Sequence, residues 1–180
     1  MEDTANKQLL LVVDYQNDFV DGSLGFPGAV AIEAAIVEKI RTYRARGDMV
    51  AFTYDTHAQT YLESLEGRNL PVTHCVAGTP GWELYGKVAN LRLPEDKVFH
   101  KPGFGSAELL DWLRTHPFAG IELCGVVTNI CVLSNAVIAK TAQPETPITV
   151  DAQCVAGNDP ALHEASLDVM GGIQVQVLNR

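Results

Sequence analysis

The chain has 180 residues, 47% of them hydrophobic and 19% charged, which suits one globular domain over 1–180 and excludes a disordered or fibrous protein. A formal net charge of −9 argues against a nucleic-acid partner, because phosphates demand a basic surface. No apolar run is long enough to span a membrane, and the opening residues MEDTANKQ lack the basic-then-apolar order of a secretory signal, so the expectation is a cytoplasmic protein.

Taken in chain order, residues 8–14, QLLLVVD, form an apolar run ending in a carboxylate, the pattern of a strand buried on both faces. Ala31, Ile32, Ala35, Ile36, Lys39, Ile40 and Tyr43 then recur at helical spacing, with Gly47 as a cap before the strand MVAFTYD. Residues 55–81 change character, being polar and rich in Gly, Pro and Thr, and read as a long functional loop. Beyond it the pattern predicts a strand around Lys97–His100, a helix around Ser106–Arg114, the strand GIELCGVV, a helix after Asn129, the strand TPITVD, a helix from Asp159 to Met170 and a last strand IQVQVL. Strand and helix thus alternate about six times. That order predicts an α/β fold: a three-layer α/β/α domain around a mostly parallel six-stranded sheet with right-handed crossovers.

In such a sheet, ligands gather outside the carboxyl ends of the strands. Asp14, Asp55 and Lys101 close the first three strands and Cys131 follows the fourth, so four reactive side chains should share one edge. Singly, each has an ordinary reading: a strand-end Asp is commonly a cap, a Lys is commonly solvated, and a Cys behaves as a small hydrophobe. Together they offer chemistry, since a helix N-terminus, an ammonium and a nearby base each favour a thiolate. The long loop adds Asp55, His57, Glu66 and His74, a mixed imidazole and carboxylate set that suits a divalent transition metal with open coordination positions. Cys75, Cys124 and Cys154 lie in or beside apolar segments and read as core thiols, and the four cysteines lack paired metal-ribbon spacing. Trp82 reads as loop packing, while His100, His116 and His163 read as solvated or simply hydrogen-bonded imidazoles.

Several separated motifs now resemble one family. LLLVVDYQNDFVDGSL, DTH, THCVAGTPGWEL, KPGF and GVVTNICV, in that order, are similar to the motifs of the isochorismatase-like cysteine hydrolases, and within them the nicotinamidases, over nearly the whole chain. The resemblance implies a catalytic triad of Asp14, Lys101 and Cys131. It implies one divalent metal ion, zinc with iron or manganese as alternatives, held by Asp55, His57, His74 and, at a position that varies between Glu and His, Glu66. It also implies a non-proline cis peptide joining Val126 to Val127, an oxyanion site at the backbone N–H groups of Val127 and Cys131, substrate contacts from Phe19 and Val126, and a homo-oligomer.

Two departures stand out. Nicotinamidases commonly clamp the ring with a second aromatic just ahead of the second metal-binding His, where this chain has Pro71 or Leu70; the Asp usual after the Thr of the nucleophile motif is Asn129. The resemblance therefore implies a metal-dependent amidohydrolase acting on a small carboxamide, with nicotinamide as substrate. A carbamoyl or ureido hydrolase on the same scaffold is the alternative, and a catalytically silent binding protein is the alternative of another class, disfavoured by the intact triad.

Overall fold

The first strand sets the plan of the molecule, because its apolar side chains feed two cores. In a computed structural model describing residues 4–180, β1 is Gln8–Val13, with Leu10 and Val12 on one face and Leu9, Leu11 and Val13 on the other, all fully buried. Met1–Asp3, part of the stretch read above for a signal, lie outside the described residues. The elements that follow are α1 (Asn17–Val20), α2 (Pro27–Ala31), α3 (Glu33–Ala45), β2 (Met49–Asp55), α4 (Leu65–Asn69), α5 (Gly86–Ala89), β3 (Lys97–Lys101) and α6 (Ala107–Thr115). After these come β4 (Gly120–Val126), a π-helical turn (Thr128–Val132), α7 (Leu133–Ala142), β5 (Ile148–Ala156), α8 (Pro160–Gly172) and β6 (Gln176–Leu178).

Six parallel strands run in the order β3-β2-β1-β4-β5-β6. On one face, Ile36, Val37, Ile40 and Tyr43 of α3 pack over Leu10, Val12 and Cys124. The other face is covered by α6, α7 and α8 through Leu109, Leu113, Ala136, Ala139, Leu167 and Met170. This is the three-layer arrangement that the alternation predicts. The chain reverses its direction across the sheet between β1 and β4, so the carboxyl ends of these two strands flank a crevice. Gly125 makes their close approach possible: at φ 113° it lies in a region closed to side chains, and a Cβ there would stand 2.1 Å from the Val13 carbonyl oxygen.

Local differences from the sequence reading have local causes. The apolar period from Ala31 spans two helices, because Ile32 caps α2 and α3 begins at Glu33; Gly47 follows α3 at φ 75°. β5 does not stop at Asp151 but runs on to Ala156, its register against β4 shifting between Leu123 and Gly125. The last strand starts three residues later than IQVQVL suggests, since Ile173 caps α8 and Gln174 turns the chain at φ 67°. The helix after Asn129 opens with a π turn. No helix among the described residues is long and apolar enough to cross a membrane.

Candidate active site

At the switch point β1 runs out of apolar residues and Asp14 follows with φ 45°, a left-handed conformation that Asp tolerates better than most residues. Its backbone N–H donates to Thr53 on β2, and the Thr53 hydroxyl donates to Asp14 Oδ1 at 2.6 Å. The other carboxylate oxygen, Oδ2, is 2.6 Å from Lys101 Nζ, and both side chains are essentially sealed from solvent. Lys101, the last residue of β3, also donates to the Gly103 carbonyl at 3.0 Å and reaches Cys131 Sγ at 3.5 Å. Cys131 sits within the π turn, where Asn135 of α7 donates to its carbonyl at 2.8 Å and to the Phe104 carbonyl at 3.1 Å. The structure thus brings Asp14, Lys101 and Cys131 into one buried group.

Burial, and then the charge of Asp14, push the Cys131 thiol well up, with Lys101 acting against them. Burial likewise raises Asp14 against the pull of Lys101. Lys101 is the positive charge that favours ionisation of either group.

Asp55 ends β2 beside this group and faces a second one. Its Oδ2 lies 2.9 Å from His57 Nε2 and 3.3 Å from His74 Nε2, and Glu66 Oε1 is 3.8 Å from each of those nitrogens. One donor atom from each of Asp55, His57, Glu66 and His74 falls within 4.8 Å of all the others. Two imidazole nitrogens and two carboxylate oxygens so gathered fit one divalent ion of the zinc, iron or manganese type. The His74 Nδ1 bond to the Val72 carbonyl, 2.7 Å, fixes the ring with Nε2 toward the cluster. Burial raises the Asp55 carboxyl, but the bonds from His57 and His74 and the charge of Lys101 hold it below the usual range overall.

Both groups open on one cavity of about 190 Å³, lined by Phe19, Phe26, Asp55, Glu66, Leu70, His74, Phe104, Val127, Ile130 and Cys131 among others. Glu66, Leu70, Phe104 and Ile130 also line a wider outer chamber of about 720 Å³. Phe19 lies in the cavity wall with its ring 5.4 Å from that of His74. Val126, expected at the substrate, is a correction: the last side chain of β4 points into the sheet core and is fully buried, and Val127 lines the cavity instead. The Val126–Val127 peptide is cis.

Sequence reasoning missed the supports. Gln16 receives the Asp55 N–H at 2.8 Å and donates to the Asp55 and Trp82 carbonyls, holding the ends of β1 and β2 together. Asp18 accepts the N–H of Cys75, tying the His74 loop to α1. Both residues stand in the quoted YQNDF run, but only their side-chain type, and no period, marks them. Trp82 does pack the loop, donating to Thr56 and stacking on His100. Cys75, Cys124 and Cys154 are buried free thiols.

Residues 8–179 match the isochorismatase domain family. The chain belongs to this family. A relative from Bacillus subtilis (strain 168), the uncharacterized isochorismatase family protein PncA, is 36% identical over 148 residues, covering 74% of this chain and 78% of its own. Among solved structures, nicotinamidase PncA from Bacillus subtilis superposes with a TM-score of 0.83 at 30% identity, over 96% of this chain and 99% of that one. The pyrazinamidase of Pyrococcus horikoshii, solved in complex with zinc, does so with a TM-score of 0.82 at 27% identity, over 97% and 99%.

Proposed function

We propose that this isochorismatase-family protein is a cysteine amidohydrolase that converts nicotinamide and water to nicotinic acid and ammonia. The observation that carries the reading is the shared cavity: the Cys131 thiol and the Asp55, Glu66 and His74 donors face the same small space between aromatic walls. A ring carboxamide with a nitrogen remote from its amide can meet both ends of such a cavity at once. The solved nicotinamidase and pyrazinamidase to which the chain is similar support the same substrate class.

The residues have complementary tasks. Asp14 takes the thiol proton, and Lys101 offsets the negative charge as it moves from carboxylate to sulfur. The thiolate attacks the amide carbon, the carbonyl oxygen becomes anionic, and the N–H groups of Val127 and Cys131 receive it. As the intermediate collapses, the C–N bond breaks and the amide nitrogen leaves as ammonia with the proton from Asp14. Water then attacks the thioester while Asp14 accepts its proton, releasing nicotinic acid and restoring the thiol. Asp55, His57, Glu66 and His74 would hold the ion, zinc in the first instance, and its positive charge when bound supplies a partner for the ring nitrogen.

The test is ammonia release from nicotinamide and from benzamide, which keeps ring and amide but lacks the nitrogen. Nicotinamide should be turned over with much the higher kcat/KM. Equal values would remove the role given to the ring nitrogen, and no ammonia from either would favour the carbamoyl or ureido reading.

A further inference from the structure

Outside the group described above, one imidazole is bonded to the nucleophile's own turn. Thr128, the first residue of the π turn, is fully buried, and its Oγ1 lies 2.9 Å from Nδ1 of His163 on the first turns of α8. The segment between them packs closely at Gly157, where a Cβ would make tight contacts, 3.3 Å from Asn129 Oδ1 and 3.3 Å from the His163 Cβ. The opposite end of the turn is already held, because Asn135 accepts the Ser106 N–H and donates to the carbonyls of Phe104 and Cys131. π turns are uncommon and recur at functional sites, and here the Thr128–His163 contact joins the start of the turn to α8.

We propose that His163 is a positioning residue for Cys131. It acts through Thr128, fixing the entrance of the π turn against α8 so that the sulfur keeps its 3.5 Å approach to Lys101 Nζ. His163 does not line the cavity, and its Nε2 faces solvent-side Glu164 at 3.9 Å. Its contribution therefore falls on the rate of the chemical step and not on ligand binding, since small misplacements of a nucleophile cost rate steeply.

The experiment compares His163→Ala, His163→Asn, Thr128→Val, Thr128→Ser and the double variant His163→Ala/Thr128→Val in the full chain. The readouts are kcat and KM for nicotinamide, melting temperature, and the rate at which iodoacetamide alkylates Cys131, followed by peptide mass. The kinetic part rests on the proposed amidase reading; the alkylation part does not, so failure of one is separable from failure of the other. His163→Ala and Thr128→Val should each lower kcat roughly tenfold at unchanged KM, with alkylation slowed in parallel. The double variant should be no worse than either single one, and Thr128→Ser and His163→Asn, which keep a hydrogen-bonding atom, should recover most of the loss. Multiplying losses in the double variant, a change confined to KM, or wild-type kcat and alkylation in stably folded His163→Ala would each overturn the proposal.

Discussion

Lys101 and Asp55 stand 3.4 Å apart, Nζ to Oδ1, while the second oxygen of the same carboxylate lies 2.9 Å from His57 Nε2 and 3.3 Å from His74 Nε2. One buried carboxylate thus belongs to both halves of the site. Its charge is one of those opposing ionisation of Cys131.

The two ligands therefore predict different phenotypes. Asp55→Asn and His57→Asn should both lose tight zinc binding, and chelation of the wild type should do the same. With free zinc at a hundred times Kd the wild type gains about 2.7 kcal/mol, which is a rise in melting temperature of roughly 5–10 °C for a chain of this size. In metal-free protein, however, Asp55→Asn should alkylate at Cys131 several times faster than His57→Asn, because removing an anion favours the thiolate. Equal alkylation rates would show that Asp55 does not act on the thiol.

Cys131→Ala should abolish ammonia release and leave the melting temperature within a few degrees, since the intermediate is covalent and the lost sulfur is small. Cys75→Ala, one residue from His74 but with its thiol fully buried and its ionisation strongly disfavoured by burial, should keep activity within about tenfold. Lys101→Met should cost both activity and fold: it leaves Asp14 without its buried ion-pair partner, a loss of roughly 3–5 kcal/mol. Thermal melts of the three variants beside their rates separate these outcomes. Retained activity in Cys131→Ala would exclude the covalent route.

What the sequence makes legible follows from how sharply each feature is dictated. Asp14, Asp55 and Lys101 could be put on one edge because each closes a strand-like segment, and parallel strands carry such ends to the same side. Asp151 misleads by the same rule: Lys39 of α3 pairs with it at 2.7 Å, so the carboxylate is tolerated in the middle of β5 and the strand continues. Val126 and Val127 are indistinguishable as sequence, and only the backbone geometry at the end of β4 decides which one faces the cavity. Thr53, Gln16 and Asn135 act through hydrogen bonds between segments far apart in the chain, for which no periodicity exists.

The Lys39 cluster on the far side of the sheet gives an acid-stability prediction. Burial raises Asp151, but Lys39, the Gln153 N–H and Asn179 more than offset it, so its carboxyl titrates below the ordinary value. A depressed folded-state pKa contributes stability that is present above the unfolded value, near 4, and lost as pH falls through the folded one. Asp151→Asn should therefore lower the melting temperature at pH 7 and flatten its decline between about pH 5 and pH 3. Parallel wild-type and variant profiles across that range would remove Asp151 from the acid limb.

The last prediction concerns the ring. An aromatic just ahead of His74 is missing, Leu70 and Pro71 standing there, which on sequence grounds weakens stacking on the substrate. The cavity nevertheless has three phenylalanines, because Phe26 before α2 and Phe104 after β3 join Phe19 in its walls. Phe19 is a poor probe, since its ring also packs on His74 and its loss would disturb a metal ligand. Phe104 is 50% exposed, so its removal is the cleaner probe of stacking. An aromatic pair contributes about 0.5–1.5 kcal/mol, so Phe104→Ala should raise KM for nicotinamide roughly threefold to tenfold with kcat and zinc content unchanged, while Phe104→Tyr should leave KM near wild type. Leu70→Ala, which removes an aliphatic wall, should raise it less. If Phe104→Ala left KM unaltered, the ring would have to lean on Phe19 or Phe26, and the vacant aromatic position before His74 would be a true loss of binding surface.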